Sequence, residues 1–86
     1  MNQEDKEAKF KELLERAKKG VLAYLNDKGG KLNMGELHDY SMNTYFIQHQ
    51  RFSEMMETYV GEQLLDYDAA TQDCQITDKG KAFISQ

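Results

Sequence analysis

The C-terminal quarter of the chain constrains the fold more than any other segment. Residues 64–67 and 74–76 form two short runs rich in strand-forming side chains, separated by a polar loop at hairpin spacing. Thr77 then offers a side-chain cap for a last helical turn that carries Phe83 and Ile84. These two apolar side chains need a surface to pack on. The sequence therefore predicts a β-hairpin followed by a helical turn that folds back onto the domain.

A long N-terminal helix, predicted over residues 3–27, can supply that surface. Its apolar residues recur at three- and four-residue steps and so lie on one stripe. The stripe consists of Phe10, Leu13, Leu14, Ala17, Val21, Leu22, Tyr24 and Leu25. Gly29 and Gly30 then form a strong stop signal. We expect the C-terminal apolar pair to pack on the middle of this stripe.

Two further helices are predicted between the glycines and the hairpin. In "LNMGEL", Asn33 caps a short helix, Glu36 closes a capping box, and the helix ends near Tyr40 or Ser41. In "MNTYFI", Asn43 repeats the cap and opens a third helix over residues 44–61. At 100° per residue, its predicted inner face holds Tyr45, His49, Phe52, Met56, Tyr59 and Val60, with Met55 at the edge. Its predicted outer face holds Ile47, Gln50, Arg51, Glu54 and Thr58.

This order of elements resembles the winged helix-turn-helix domain. The stretch "LLDYDAATQDCQITDKGKAFI" looks like the wing and its exit in small archaeal and bacterial winged-helix regulators. The family's Thr-x-x-Gly-x-x-Phe-Leu/Ile ending is matched by Thr77, Gly80, Phe83 and Ile84. "GGKLNMGEL" is similar to the family's entry into its second helix. The expected fold is mainly α with a small β-hairpin (α+β): three helices, a C-terminal wing and a terminal helical turn.

The length of 86 residues leaves room for a single domain. The resemblance covers residues 17–86, so residues 1–16 form an extension of the first helix. The apolar stripe continues into this extension through Phe10, Leu13 and Leu14, which would leave an apolar patch exposed in a monomer. We expect these three residues to pair two copies in a homodimer. The alternative is that the added turns are frayed.

The resemblance implies a DNA-binding transcriptional regulator that reads the major groove with its third helix. Asn and Gln side chains suit adenine and Arg suits guanine, whereas residues before the second helix are placed for phosphate. The candidate DNA contacts are Lys31, Asn33, Asn43, Thr44, Gln50 and Arg51. A solvated polar face with no ligand explains the same residue types equally well.

The distribution of charge favours an alternative function. Residues 1–31 carry eight basic and six acidic side chains, whereas residues 32–86 carry three and nine, for a net charge of −4. The wing contains Asp66, Asp68 and Asp73 but no Lys or Arg, and a wing beside phosphates normally needs positive charge. The alternative is a winged helix that serves as a protein-interaction or dimerisation module without binding DNA.

No pattern of residues indicates catalysis or a cofactor. His38, His49 and Cys74 have no zinc-site spacing, and we expect His49 and Cys74 to pack in the core. The single cysteine excludes an intrachain disulfide. No apolar run is long enough to span a bilayer, and none precedes Phe10 as a signal peptide would. The sequence predicts a cytoplasmic, non-enzymatic protein without a metal.

Overall fold

The computed structural model describes the backbone of residues 3–86 and the side chains of residue 9 and residues 11–86. The elements are α1 (Gln3–Asp27), β1 (Lys31–Asn33), α2 (Met34–Tyr45), α3 (His49–Gly61), β2 (Leu65–Asp68), β3 (Asp73–Ile76) and α4 (Asp78–Ile84). The strands form one antiparallel sheet in the order β1-β3-β2. This is the predicted α+β winged-helix architecture.

The long first helix is confirmed with its predicted limits. It is followed by Gly29 and Gly30, whose φ angles of 98° and 85° lie in the left-handed region that glycine adopts without strain. The Gly30 amide donates to the Leu25 carbonyl at 2.9 Å and turns the chain into β1. The buried stripe of α1 comprises Ala17, Val21, Leu22 and Leu25. No helix within the described residues is both long enough and apolar enough to cross a membrane.

The wing and its exit also follow the prediction. The Thr77 hydroxyl caps α4 by accepting from the Gly80 amide at 2.9 Å, and it donates to the Gln63 carbonyl at 2.6 Å. A Cβ atom on Gly80 would lie 2.2 Å from the Leu64 carbonyl oxygen, so only glycine fits here. We call Gln63, Leu64, Thr77 and Gly80 the wing-exit seam. α4 packs on α1, and its two apolar residues, Phe83 and Ile84, are partly buried against the core.

The sequence did not indicate the third strand, β1. Leu32 pairs with Cys74 and Leu65 with Ile76, so β3 lies between its two neighbours. The Ile76 amide also donates to the Gly30 carbonyl at 2.9 Å. With one apolar residue between two polar ones, β1 is too short to show a strand periodicity.

One hydrophobic core joins α1, α2, α3 and the sheet. Tyr24 of α1 stacks on Tyr40 of α2, with ring centroids 3.8 Å apart and planes at 5°. Tyr59 of α3 donates to the Lys18 carbonyl at 2.6 Å, and burial raises the pKa of its hydroxyl. The buried hydrophobic residues that α2, α3 and the sheet contribute are Leu37, Phe52, Met55, Met56, Tyr59, Leu65, Cys74 and Ile76.

The predicted boundary between the second and third helices is wrong. α2 does not end near Tyr40 but continues to Tyr45, so Asn43 lies inside it and does not cap α3. The helix ends at Phe46, which adopts the left-handed region (φ 59°, ψ 32°). Its amide donates to the Met42 carbonyl at 3.0 Å. The added turn places the Tyr45 ring against Gly20 of α1, where a Cβ atom would collide with it.

The faces predicted for the third helix need a related correction. Ile47, expected on the outer face, is buried with 5% of its surface exposed. His49 and Val60, expected on the inner face, are exposed. Phe52, Met55, Met56 and Tyr59 are buried as predicted. Because Phe46 turns the chain out of the helical path, residues before His49 do not follow the angular pattern of α3.

Candidate nucleic-acid interface

The α3 helix presents a polar surface opposite the side that enters the core. Its four buried side chains and the Tyr59 hydrogen bond fix the helix against α1 and the sheet. Its exposed polar side chains are His49, Gln50, Arg51, Ser53, Glu54, Glu57 and Thr58. The N-cap, Gln48, makes no capping hydrogen bond through its side chain with any described residue. The first turn of α3 is therefore open to solvent.

Arg51 is the one Lys or Arg residue of α3, and it is paired within the helix. Its Nη1 donates to Glu54 Oε2 at 3.1 Å, and both side chains are about half exposed (52% and 53%). Arg51 also borders two clefts towards α1, where Leu14 lies beside it in both. An exposed pair of this kind is weak, so a phosphate or a guanine can compete for the guanidinium.

Asn43 and Thr44 lie apart from the α3 surface. Both are exposed on the last turns of α2 and border a shallow cleft with Tyr24 and Lys28 of the α1 end. They were predicted at the start of the third helix, next to Gln50 and Arg51. The extension of α2 removes them from that helix, so the six predicted DNA contacts do not form one group.

Lys31 and Asn33 are placed on β1, next to the wing. Asn33 Oδ1 accepts from the Gly35 amide at 2.9 Å, which confirms its predicted capping role, and its Nδ2 donates to the Thr71 carbonyl at 3.4 Å. Lys31 Nζ lies 3.7 Å from Asp73 Oδ2. Both side chains thus tie β1 to the wing.

The electrostatic character of this side of the molecule is acidic. Glu54 and Glu57 are exposed on α3, and Asp66 and Asp68 are exposed on β2 of the wing. Basic side chains on α1 have partners of their own: Arg16 pairs with Glu12 at 3.1 Å, and Lys19 donates to the carbonyl of the last residue. Lys18 of α1 borders a cleft with Arg51 of α3, and it pairs with Glu62 at 2.5 Å, so carboxylates offset the positive charge beside α3 as well.

The three potential metal ligands do not converge. His38 and His49 have ring centroids 5.5 Å apart, whereas Cys74 is buried in β3. Burial, with Asp73 beside it, raises the pKa of the Cys74 thiol to about 11. Within the described residues, no group of three or more His, Cys, Asp or Glu side chains is arranged to hold a metal ion. Cys74 is a core residue, as expected.

The predicted dimerisation residues fall partly outside the described side chains, since Phe10 is not among them. Leu13 is 45% exposed and Leu14 is half-buried; both border a cleft that Phe46 and Ile47 complete. Phe46 is 85% exposed, the most exposed of the large apolar side chains in the described chain. Sequence reasoning did not identify Phe46, because only the true end of α2 reveals its position.

Comparison with solved structures supports the fold. The protein F93 from STIV, described as a winged-helix DNA-binding protein, superimposes with a TM-score of 0.62 at 14% sequence identity. The match covers 76% of this chain and 75% of F93. No protein-family model matches the sequence, and no curated protein matches it either. At this level of identity, the similarity to F93 establishes the winged-helix fold alone.

Proposed function

We propose that this protein binds DNA and regulates transcription in the cytoplasm, with α3 as the element that enters the major groove. The observation that supports this most is the arrangement of α3. Its four buried side chains anchor it, and the polar side chains of its first turns are exposed. The same fold in F93 belongs to a protein described as DNA-binding. A binding role of this kind needs no catalytic group.

The candidate contacts would then divide into three sets. Gln50 and Arg51, exposed on α3, would read bases, with Gln50 suited to adenine and Arg51 to guanine once it leaves Glu54. Lys31 and Asn33 would contact phosphate beside the wing. Asn43 and Thr44, on the far end of α2, would reach only a flanking phosphate.

The acidic surroundings of α3 predict how the affinity for DNA depends on salt concentration. Counterion release depends on the number of phosphates that Lys and Arg neutralise. With Arg51 as the one Lys or Arg of α3 and with Lys31 paired to Asp73, few counterions would be released. The affinity for DNA should therefore fall only shallowly as salt rises, and specificity should come from base contacts.

A selection of genomic DNA fragments at low salt tests the proposal. The protein should retain a defined sequence, and Arg51→Ala should weaken binding to it by about 1–3 kcal/mol, or roughly 5- to 150-fold. Arg16→Ala is the matched control, because Arg16 also pairs with a glutamate on an exposed helix face but lies on α1. It should change affinity less than about twofold. Retention of no fragment, or equal losses in both variants, would contradict the proposal.

A second candidate function, a protein-interaction module without DNA binding, is supported by the acidic side chains around α3. Glu54, Glu57, Asp66 and Asp68 are all exposed there and would repel phosphates. They would complement a basic protein surface. If the selection recovers no DNA, this reading becomes the better one.

We also propose that two copies associate through α1 and the α2–α3 junction. Leu13 and Phe46 are both exposed, and they line the same cleft as Leu14 and Ile47. We call Leu13 and Phe46 the exposed apolar patch. Isologous pairing would bury two such patches, together with Phe10, which the sequence predicts on the same apolar stripe as Leu13. For a DNA-binding protein, this pairing would set the spacing of two half-sites.

A further inference from the structure

A groove between α2, α3 and β2 presents apolar surface that a partner can reach. Its volume is about 810 Å³, and it is open to solvent. Two of its lining residues, Val60 of α3 and Tyr67 of β2, are large apolar side chains with 47% and 38% of their surface exposed. Half-buried Met34 of α2 adds to them. Accessible apolar surface gathered in one concave site is typical of an interaction surface.

The lining of the groove follows the rows of a helix surface. The residues that α3 contributes fall on two neighbouring rows with a four-residue step: an apolar row with Phe52, Met56 and Val60, and a polar row with His49, Ser53 and Glu57. Each row extends over eight residues, or about 12 Å. Two such rows enclose the furrow into which another helix inserts its own ridge in the commonest kind of helix packing. The groove therefore has the shape that a helix fits.

The α2 wall has the same spacing. Met34 and His38 are four residues apart, as are Gly35 and Asp39, and all four line the groove. Both helical walls are anchored in the core, α2 through Leu37 and α3 through its four buried side chains. The groove is therefore preformed, and a helix would enter it without a rearrangement of the domain.

The charged residues of the groove are acidic. Asp39 of α2 and Glu57 of α3 are both exposed, and no Lys or Arg is found among the described residues that line the groove. Neither carboxylate forms a salt bridge with a Lys or Arg in the described part of the chain. One negative charge thus stands on each helical wall. This arrangement is complementary to a ligand that carries positive charge on both sides of an apolar row.

We propose that this groove binds a basic amphipathic helix of a partner protein. The partner helix inserts a row of large apolar side chains between α2 and α3, where Val60 and Tyr67 are accessible. Its Lys and Arg side chains lay their apolar stems along the walls and carry their charges to Asp39 and Glu57. The inference gives the second candidate function a binding site and a class of partner. It does not depend on DNA binding, because neither Gln50 nor Arg51 lines the groove.

An NMR titration of the full-length protein with peptides of Leu, Lys and Ala, each about 14 residues long, tests this inference. The first peptide has its leucines on one face of a helix. It should shift the amide signals of residues 34–39 and 52–61 in a saturable manner. The second has the same composition with the leucines spread around the helix, the third has Glu in place of Lys, and the fourth has a central Pro that breaks the helix. Each of these three should bind about tenfold more weakly or worse.

Variants of the protein test the two kinds of contact. Val60→Lys places a charge on the apolar row, and Glu57→Lys reverses the charge on the α3 wall; each should weaken binding of the first peptide about tenfold. Glu15→Lys is the matched control, because it makes the same change at an exposed glutamate of α1 that borders a cleft on another side of α3. It should change the affinity less than about twofold. Circular dichroism checks that all three variants are folded.

Three outcomes would overturn the proposal. Without saturable shifts from the first peptide, the groove is not a site for such a helix. Equal binding of the second peptide, or equal losses in Glu57→Lys and Glu15→Lys, would show unspecific attraction to negative charge, which still leaves the second candidate function in place. Equal binding of the proline peptide would show that the partner is not a helix. Because no DNA is present, none of these results bears on DNA binding.

Discussion

The wing-exit seam and the α2–α3 junction both connect elements of the fold. They differ in how far their polar and apolar groups find partners within the domain. In the seam, the Thr77 hydroxyl makes two hydrogen bonds, and Gly80 lies directly against the Leu64 carbonyl. In the junction, Phe46 has an exposed ring, and the Gln48 side chain does not cap the helix that follows. A left-handed residue other than glycine occurs in both regions, Phe46 in the junction (φ 59°) and Gln63 in the seam (φ 62°).

This difference separates the part of the molecule that maintains the fold from the part that is free to bind. A connection whose backbone and hydroxyl groups are hydrogen-bonded internally has little left to offer a partner. The junction leaves an aromatic ring and the first turn of α3 to solvent at a cost in stability, and departures of this kind are typical of functional sites. The proposed interfaces for DNA and for a second copy both begin at this junction.

The largest effect that we predict is in the seam, for Gly80→Ala. The added methyl group would collide with the Leu64 carbonyl and with Ile76, so the backbone must shift. The free energy of unfolding should fall by about 3 kcal/mol, which lowers the melting temperature of a domain of this size by roughly 10–20 °C. Thermal denaturation followed by circular dichroism measures this.

Gly61→Ala is the matched control for that experiment. Gly61 is also the glycine of a helix, but a Cβ atom there would meet nothing within 4 Å. Its substitution should raise stability by about 0.5–1 kcal/mol, because alanine favours the helix. If Gly80→Ala is as stable as Gly61→Ala, the close packing of the seam is wrong.

A smaller loss is expected for Thr77→Ala, which removes the cap of α4 and the bond to the Gln63 carbonyl. We expect the free energy of unfolding to fall by about 1 kcal/mol, typical of a lost N-cap. Thr77→Ser keeps the hydroxyl and should remain within a few tenths of a kcal/mol of the unmodified protein. Urea denaturation resolves the two, and a Ser variant as unstable as the Ala variant would show that the hydroxyl contributes nothing.

The smallest effect on folding is expected in the junction, for Phe46→Gly. Glycine adopts the left-handed conformation of this position without strain, and the mostly exposed ring contributes little burial. Stability should be unchanged or rise by up to about 1 kcal/mol. Association should respond instead: sedimentation equilibrium at tens of micromolar should show a dimer for the unmodified protein and a monomer for Phe46→Gly.

Val60→Ser provides the control for association, since Val60 is an exposed apolar residue that lies on the groove side of α3. It should remain a dimer. A monomeric unmodified protein would end the homodimer proposal, and a large loss of stability in Phe46→Gly would remove the contrast between the two regions.

The sequence predicted those elements whose signals are local. The end of α1 at two glycines, the Asn33 cap and the Thr77 cap each depend on a few neighbouring residues, and all are confirmed. The junction was mispredicted because Asn43 carries the same local signal as Asn33 but lies where the packing of Tyr45 on Gly20 and the burial of Ile47 extend the helix. Tertiary contacts of this kind leave no mark on a single sequence.

The candidate site could be predicted only in part for the same reason. Gln50 and Arg51 are exposed on α3 as expected. Asn43 and Thr44 lie on α2 instead, because that helix extends beyond its predicted end. The spacing of Arg51 and Glu54 in a helix was enough to predict their ion pair, whereas no local pattern predicts the groove beside His38. Three elements distant in sequence form that groove, and only the assembled fold brings them together.

The central claim is that the surface starting at the α2–α3 junction binds DNA while the seam does not, and NMR mapping with the selected DNA duplex tests it most directly. On titration, the amides of residues 46–54 should shift or broaden strongly, whereas those of residues 77–84 should stay in place. Lys79 and Lys81, both exposed on α4, serve as an internal control for unspecific attraction to phosphate. Strong shifts confined to α1 and α4, with residues 46–54 unaffected, would contradict the account.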